Sequence, residues 1–299
     1  MRLQSAMEYL NLLGKGSSKL QSAMEYLMTY GWAILIIAVV LGVLYYLGIF
    51  NSANLAPRLQ PGSCHVARTA AGVQNFGVCA GLPEFVGQFN GQSSDVAIPS
   101  SASLNLTTSL TISAWIYMNS IGSNQNIIQK WVNTYNLVIS PSNQLRLELT
   151  QTGGTPITDL FSTSTLQAGQ WYYVVGTYNS SLSSNNMNLY INGVLVGSKN
   201  LNPTLNIDAS PLYIGTQGGG NFYFGGAISN VQVYNASLSA AEVKALYMEG
   251  IGGAPITPQN VVGWWPLNGD ANDYSGNNNN GQSTNVQYTN TWLSTYSAP

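Results

Sequence analysis

The chain has 299 residues, 45% hydrophobic but only 7% charged, with a formal net charge of −2, against about a quarter charged in ordinary globular domains. Asn, Ser, Thr, Gln and 31 glycines supply its polarity, with 18 tyrosines, a composition suited to an extracytoplasmic β-rich surface. It excludes nucleic acid as a partner, because no basic patch exists to neutralise phosphates.

The octapeptide LQSAMEYL occupies residues 3–10 and recurs at 20–27, where it leads into an apolar run ending at Phe50. After Glu25 the next charged residue is Arg58. A bilayer core requires about 20 apolar residues in helix, so the run predicts a membrane-spanning helix over 21–50. Gly31, Gly42 and Gly48 are compatible with it, since membrane helices tolerate glycine. Arg2, Lys15 and Lys19 precede the span, and Arg58 and Arg68 follow it. This places residues 1–20 in the cytoplasm and the remainder outside, as a single-pass cell-surface protein. A secretory signal would have a shorter apolar region and an A-x-A-like site just after it; neither fits.

The segment KGSSKLQSAMEYLMTYGWAILIIAVV resembles the class III signal region of archaeal type IV pilins. The resemblance implies cleavage of a basic leader before the helix and a glutamate at the fifth mature position. With Gln21 as the first mature residue, Glu25 is the fifth. It would pair with an N-terminal amine as the helices self-associate in a filament, and an ionisable group at a membrane helix end usually has a partner. Leu20 departs from the family's small residue before the cut. Gly16 supplies a glycine but would make Glu25 the ninth residue. A plain signal anchor, with Glu25 at the lipid interface, is the alternative.

Residues 51–85 form a polar connector holding both cysteines, Cys64 and Cys79. No closely spaced ligand pair suggests a metal. Outside the cell a disulfide is expected, which would stabilise by about 3 kcal/mol; in a reducing compartment the two would be free thiols.

From Val86 onward, short β-branched and aromatic runs alternate with Gly, Asn and Ser clusters. TISAWIYM (111–118) places Ile112, Ala114 and Ile116 on one face and Ser113, Trp115 and Tyr117 on the other. YNLVIS (135–140), QLRLELT (144–150), WYYVVGTY (171–178), MNLYI (187–191) and AISNVQVY (227–234) continue the series. Asn192-Gly193 between apolar runs predicts a two-residue hairpin turn. One helix is expected in SLSAAEVKALYMEG, with Ser239 and Glu242 at capping-box spacing, Val243, Leu246 and Tyr247 on one face, and Gly250 ending it. The fold class is therefore mainly β: an antiparallel two-sheet sandwich or jelly roll with one short late helix, preceded by the apolar N-terminal helix.

FNGQSSDVAIP (89–99), LTISAWIYM (110–118), AGQWYYVVGTY (168–178), MNLYINGVLVGS (187–198), LYIGT (212–216) and FGGAISNVQVYNASLSAAEVKALY (224–247) resemble the laminin G-like jelly roll of the concanavalin A-like lectin/glucanase superfamily. The resemblance implies such a domain over 86–299. VVGWWPLNGDANDYSGNNNNGQ (261–282) looks like the segment that opens these domains, yet here it comes last. Either 261–299 supplies a circularly permuted edge strand and loop, or it begins a truncated second domain.

Candidate chemistry is sparse. His65 is the one histidine. Glu148 has no second acid nearby on its strand, the E-x-D pair of the superfamily's glucanases is missing, and nucleophile-elbow, P-loop and dinucleotide motifs are absent. A non-enzymatic role is expected. Asp270, Asn272 and Asp273 offer hard oxygen ligands in a glycine-flanked loop, suiting Ca²⁺; the resemblance extends rim-loop calcium to Asp273, and ordinary turn formation is the alternative. Trp131, Tyr135 and Tyr223, in or beside polar turns, are candidates for stacking against sugar, with plain packing as the alternative. Asn105, Asn179 and Asn235 begin N-x-S/T triplets and are candidate glycosylation sites. Two functions emerge: a pilin-like filament subunit displaying a lectin-type domain in a structural or adhesive role, or a membrane-anchored adhesin that contacts surface glycans or other cells without polymerising.

Overall fold

The computed structural model describes residue 28, residues 30–43, 64–67 and 76–79, and residues 82–299 except 131–133, 155–156, 202–203 and 219; of 64–67 and 76–79 only the backbone is described. The chain divides into two compact units, Met1–Arg58 and Leu59–Pro299.

Within the first unit, residues 30–43 form helix α1. Its apolar side chains are exposed, from Val40 and Leu41 at 49% to Trp32 and Ile34 at 65%. Among the described residues no helix is long and apolar enough to cross a membrane. Apart from Met28, the rest of the expected 21–50 span lies outside the described residues, as do Leu20, Gln21 and Glu25.

The second unit begins with strands β1 (Cys64–Ala67) and β2 (Phe76–Cys79), which pair antiparallel with Cys64 opposite Cys79. The sandwich is built from two larger antiparallel sheets. The first contains β3 (Val86–Asn90), β5 (Ser109–Met118), β10 (Trp171–Asn179), β11 (Met187–Ile191), β12 (Val194–Lys199), β14 (Gly225–Tyr234), β15 (Val261–Trp265) and β17 (Gln287–Thr289), in the order β12-β11-β10-β5-β14-β3-β17 with β15 also on β14. The second contains β4 (Asp95–Ile98), β6 (Gln125–Lys130), β7 (Tyr135–Ile139), β8 (Gln144–Thr150), β9 (Ile157–Thr165), β13 (Leu212–Ile214) and β16 (Gln282–Thr284), in the order β16-β4-β13-β6-β7-β8-β9.

Alternation decides which face of each strand is buried. On β5, Ile112, Ala114, Ile116 and Met118 enter the core between the sheets, where they meet Leu137, Ile139, Leu145, Leu147 and Leu149 of the facing sheet. Trp115 points the other way, into a second apolar layer with Trp171, Tyr173 and Tyr234. Helix α2 (Ala240–Met248) adds Val243 and Leu246 to that layer. Its capping box is formed as the spacing predicts, with the Ser239 hydroxyl taking the Glu242 N–H, and Gly250 follows at φ 78°. Asn192 and Gly193 adopt φ 52° and 75° between β11 and β12, the left-handed pair that a two-residue hairpin requires.

The C-terminal segment is part of this unit. β15 lies antiparallel to β14 along Val231↔Trp265 to Tyr234↔Val261. β3 takes the other half of that edge, from Gly225↔Asn90 to Ile228↔Gly87. Between these halves β14 bulges at Asn230 (φ 50°). There the Asn230 carboxamide accepts from Trp264 Nε1 at 2.7 Å and donates to the Gly253 carbonyl at 2.8 Å.

Candidate functional site

The face of the seven-stranded sheet turned away from the core carries a polar row. Core residues Tyr135, Leu137 and Ile139 on β7 and Leu145, Leu147 and Leu149 on β8 send the alternate residues outward. Backbone register then aligns them: Tyr213 lies opposite Gln129, Gln129 opposite Asn136, Asn136 opposite Glu148 and Glu148 opposite Asp159. Directly opposed side chains have Cβ atoms about 5 Å apart, so one line of polar groups runs from β13 to β9. A bulge between Asn126 and Ile128 turns Asn126 to the same side, where its amide donates to Gln129 Oε1 at 3.2 Å. Arg146, two residues before Glu148, adds a cation.

The row is deepest in its middle. Gln129 is 1% and Asn136 4% exposed, whereas the side chains of Glu148 and Asp159 are 17% and 38% exposed. The middle of the row is thus covered, and the row reaches solvent towards β9. Phe161, next to Arg146 in the register, is 40% exposed, and the guanidinium carbon lies 5.9 Å from its ring centroid.

Charge is concentrated here although it is scarce elsewhere. Arg146 lies 3.3 Å from Glu148 and 3.8 Å from Asp159, the ion pairs present among the described residues. Burial pushes the Glu148 carboxyl above the usual carboxylate range and Asp159 adds to this, while Arg146 and the Asn136 amide oppose it. Lys199 reaches the rim from β12 and donates to the Asp159 carbonyl at 3.0 Å. Four buried polar atoms of the row have no hydrogen-bond partner among the described residues: Gln129 Nε2, Asn136 Oδ1, Arg146 Nε and Asp159 Oδ1. Native structures rarely leave such groups unpaired without a reason.

The residues singled out from sequence fall mostly elsewhere. Tyr135 cannot stack on a sugar as expected: it is 1% exposed, in the core, and its hydroxyl donates to the Leu104 carbonyl. Strand alternation with Leu137 and Ile139 buries it. Trp131 lies outside the described residues. Tyr223 is half-buried in a loop bordering β6, where Phe222 accepts from the Asn126 N–H at 2.9 Å. Asn235 is exposed just after β14, whereas Asn105 and Asn179 are half-buried.

The loop after β15 is tightly bonded within the protein. Asp273 accepts from Trp264 N and Ser275 N through Oδ1, and from Ser275 Oγ and Asn279 N through Oδ2, each at 2.9 Å. Asp270 accepts from the Asn272 backbone and amide and from the Tyr274 hydroxyl. Among the described residues no group of three His, Cys, Asp or Glu side chains could hold a metal. Asp270, Asn272 and Asp273 organise a turn.

Asp159 and Asn136 escaped the sequence reading because they join Glu148 through register across strands. The legible signal was Arg146 and Glu148 at alternate positions of QLRLELT.

A family model described as the concanavalin A-like lectin/glucanases superfamily matches residues 90–244. No curated protein matches the chain. Among solved structures, a Bacteroides ovatus protein assigned to carbohydrate binding is similar at 19% identity and TM-score 0.54, covering 69% of this chain and 59% of its own. The chain thus spans less than two thirds of that relative. A Ruminococcus gnavus sialidase module, CBM40, bound to α2,3-sialyllactose follows at 18% identity and TM-score 0.45, covering 54% of this chain and 96% of its own. A heptameric pentraxin from Limulus polyphemus matches at 16% identity and TM-score 0.38, over 52% and 82%. With the family model spanning more than half of its length, the chain belongs to the concanavalin A-like lectin/glucanases superfamily.

Proposed function

We propose that this protein is a glycan-binding module displayed at the cell surface. The observation that carries the reading is the β8–β9 end of the polar row, where Arg146, Glu148 and Asp159 stand together beside the exposed Phe161 ring. Saccharide recognition typically combines a few convergent polar groups with apolar contact surface, here Phe161. The Bacteroides ovatus protein of this fold is assigned to carbohydrate binding, which supports the reading by fold analogy alone. Arg146 pairs with both carboxylates, an arrangement that suits binding better than acid–base work. The full-length protein in detergent is expected to bind a subset of glycans on an array and to release no reducing sugar from them. Binding to none, or hydrolysis, would overturn this function.

Display would rest on the uncharged stretch after Glu25, and the connector would be closed by a Cys64–Cys79 bridge, since the register sets the two residues opposite one another. A second reading, assembly into filaments, draws on Glu25 standing five residues into QSAMEYL and on the exposed apolar helix α1. Glu25→Gln is then expected to remove surface filaments while leaving the sandwich folded. Filaments that persist in this variant would sink the assembly role.

A further inference from the structure

We propose that strand β9 carries a linear oligosaccharide along its length, gripping at least three consecutive sugar rings. This rests on the glycan-binding reading and adds to it the form of the ligand and the residues that hold it.

Period-two alternation sets the platform. Leu160 and Ser162 turn inward, at 7% and 1% exposure, so Ile157, Asp159 and Phe161 share the outer face. Ile157 and Phe161 are 47% and 40% exposed, two large apolar side chains open to water on one strand. At about 3.3 Å per residue they stand about 13 Å apart along β9, farther than a single pyranose ring reaches and close to the length of a trisaccharide. β9 is the last strand of its sheet, so a ligand lying along it meets no further strand of that sheet.

Between the two apolar residues lies a polar waist. Asp159, whose side chain is 38% exposed, lies opposite Glu148, and Phe161 lies opposite Arg146. Arg146 stands 3.3 Å from Glu148 and 3.8 Å from Asp159. The exposed Lys199 reaches in from β12 and donates to the Asp159 carbonyl at 3.0 Å. Two cations thus balance two carboxylates, which suits an uncharged chain better than an acidic or a basic peptide. A hydroxyl both donates and accepts, and an ammonium has three donors. A ring over Asp159 can therefore bond to its carboxylate and to the Lys199 ammonium together. The rings on either side lay their C–H faces on Ile157 and Phe161, apolar contact on both flanks of a few orienting polar groups.

The test measures binding of the full-length protein in detergent to linear β-1,4-linked oligomers of glucose, mannose and N-acetylglucosamine, from one ring to six. In the series that binds, affinity is expected to rise at least about tenfold between one ring and four, then to level off. Ile157→Ser and Phe161→Ser should each weaken four-ring binding about tenfold. Their melting temperatures should stay near the wild-type value, because both side chains already face water. Leu182→Ser removes a side chain of similar exposure, 46%, from a turn elsewhere and should leave binding unchanged. An affinity independent of length would overturn the proposal, as would an Ile157→Ser variant that binds four rings as tightly as the wild type. Binding to none of the three series would overturn it too. A branched glycan still captured on the array would then leave the glycan-binding function standing, and capture of no glycan would remove that function as well.

Discussion

Glu148 is the residue on which the energetics of the row turn. Burial is the largest influence on its carboxyl and raises its pKa above the usual carboxylate range; Asp159 raises it further, while Arg146 and Asn136 lower it. A raised pKa means that the folded protein holds a proton which the unfolded chain has already lost. Stability therefore falls as pH rises from the ordinary carboxylate value through the folded one. Glu148→Gln is expected to raise the melting temperature at pH 7 and to change it little at pH 3, where the carboxyl is neutral in both states. A lower melting temperature at pH 7 would show that the Arg146 ion pair outweighs the cost of burial. Tyr135 teaches a different lesson at this scale. Its place after a polar turn suggested an exposed ring, but its alternation with Leu137 and Ile139 assigns it to the core, a signal already present in the sequence.

Among the elements, those set by local rules were legible. The Asn192-Gly193 turn, the Ser239–Glu242 cap, the faces of β5 and the whole of β8 follow from turn chemistry, capping and period-two alternation. The polar row does not, because it is created by the pairing of β6, β7, β8 and β9, whose register no single strand's sequence dictates. The same limit applied after β15. NGDANDYSGN reads as a loop of oxygen ligands, but its organiser is Asp273, whose carboxylate gathers N–H groups from Trp264, Ser275 and Asn279 and the Ser275 hydroxyl. Bonds to a charged acceptor contribute about 1.5–3 kcal/mol each and are not additive. Asp273→Ala is expected to destabilise by about 3 kcal/mol, seen as an earlier thermal transition. Added calcium should leave the wild-type transition unmoved. A calcium-dependent rise in the melting temperature, lost in Asp273→Ala, would show a metal bound there.

Across the molecule, the two readings of 261–299 make opposite demands. Trp265, Leu267 and Ala271 lie in the core between the sheets, and Val261, Trp264 and Trp292 lie in the second apolar layer. β16 joins the edge of one sheet at β4, and β17 joins the edge of the other at β3. The segment thus closes the sandwich on one side, while β15 shares an edge of β14 with β3. Its end lies near the start of β3: the Trp292 indole donates to the Glu84 carbonyl at 3.4 Å, and Phe85 N donates to Asn268 Oδ1 at 2.8 Å. Removing 261–299 would strip three tryptophans from cores where a buried aromatic is worth about 3–5 kcal/mol, a large part of a domain's total stability. Such a chain is expected to lose its cooperative thermal transition. A rearranged chain that begins at Ile251, runs to Pro299 and continues through a flexible linker into residues 82–250 should regain it, since sandwich ends that lie close tolerate reconnection. If the truncated protein instead melts cooperatively near the wild-type temperature, the segment belongs to another domain.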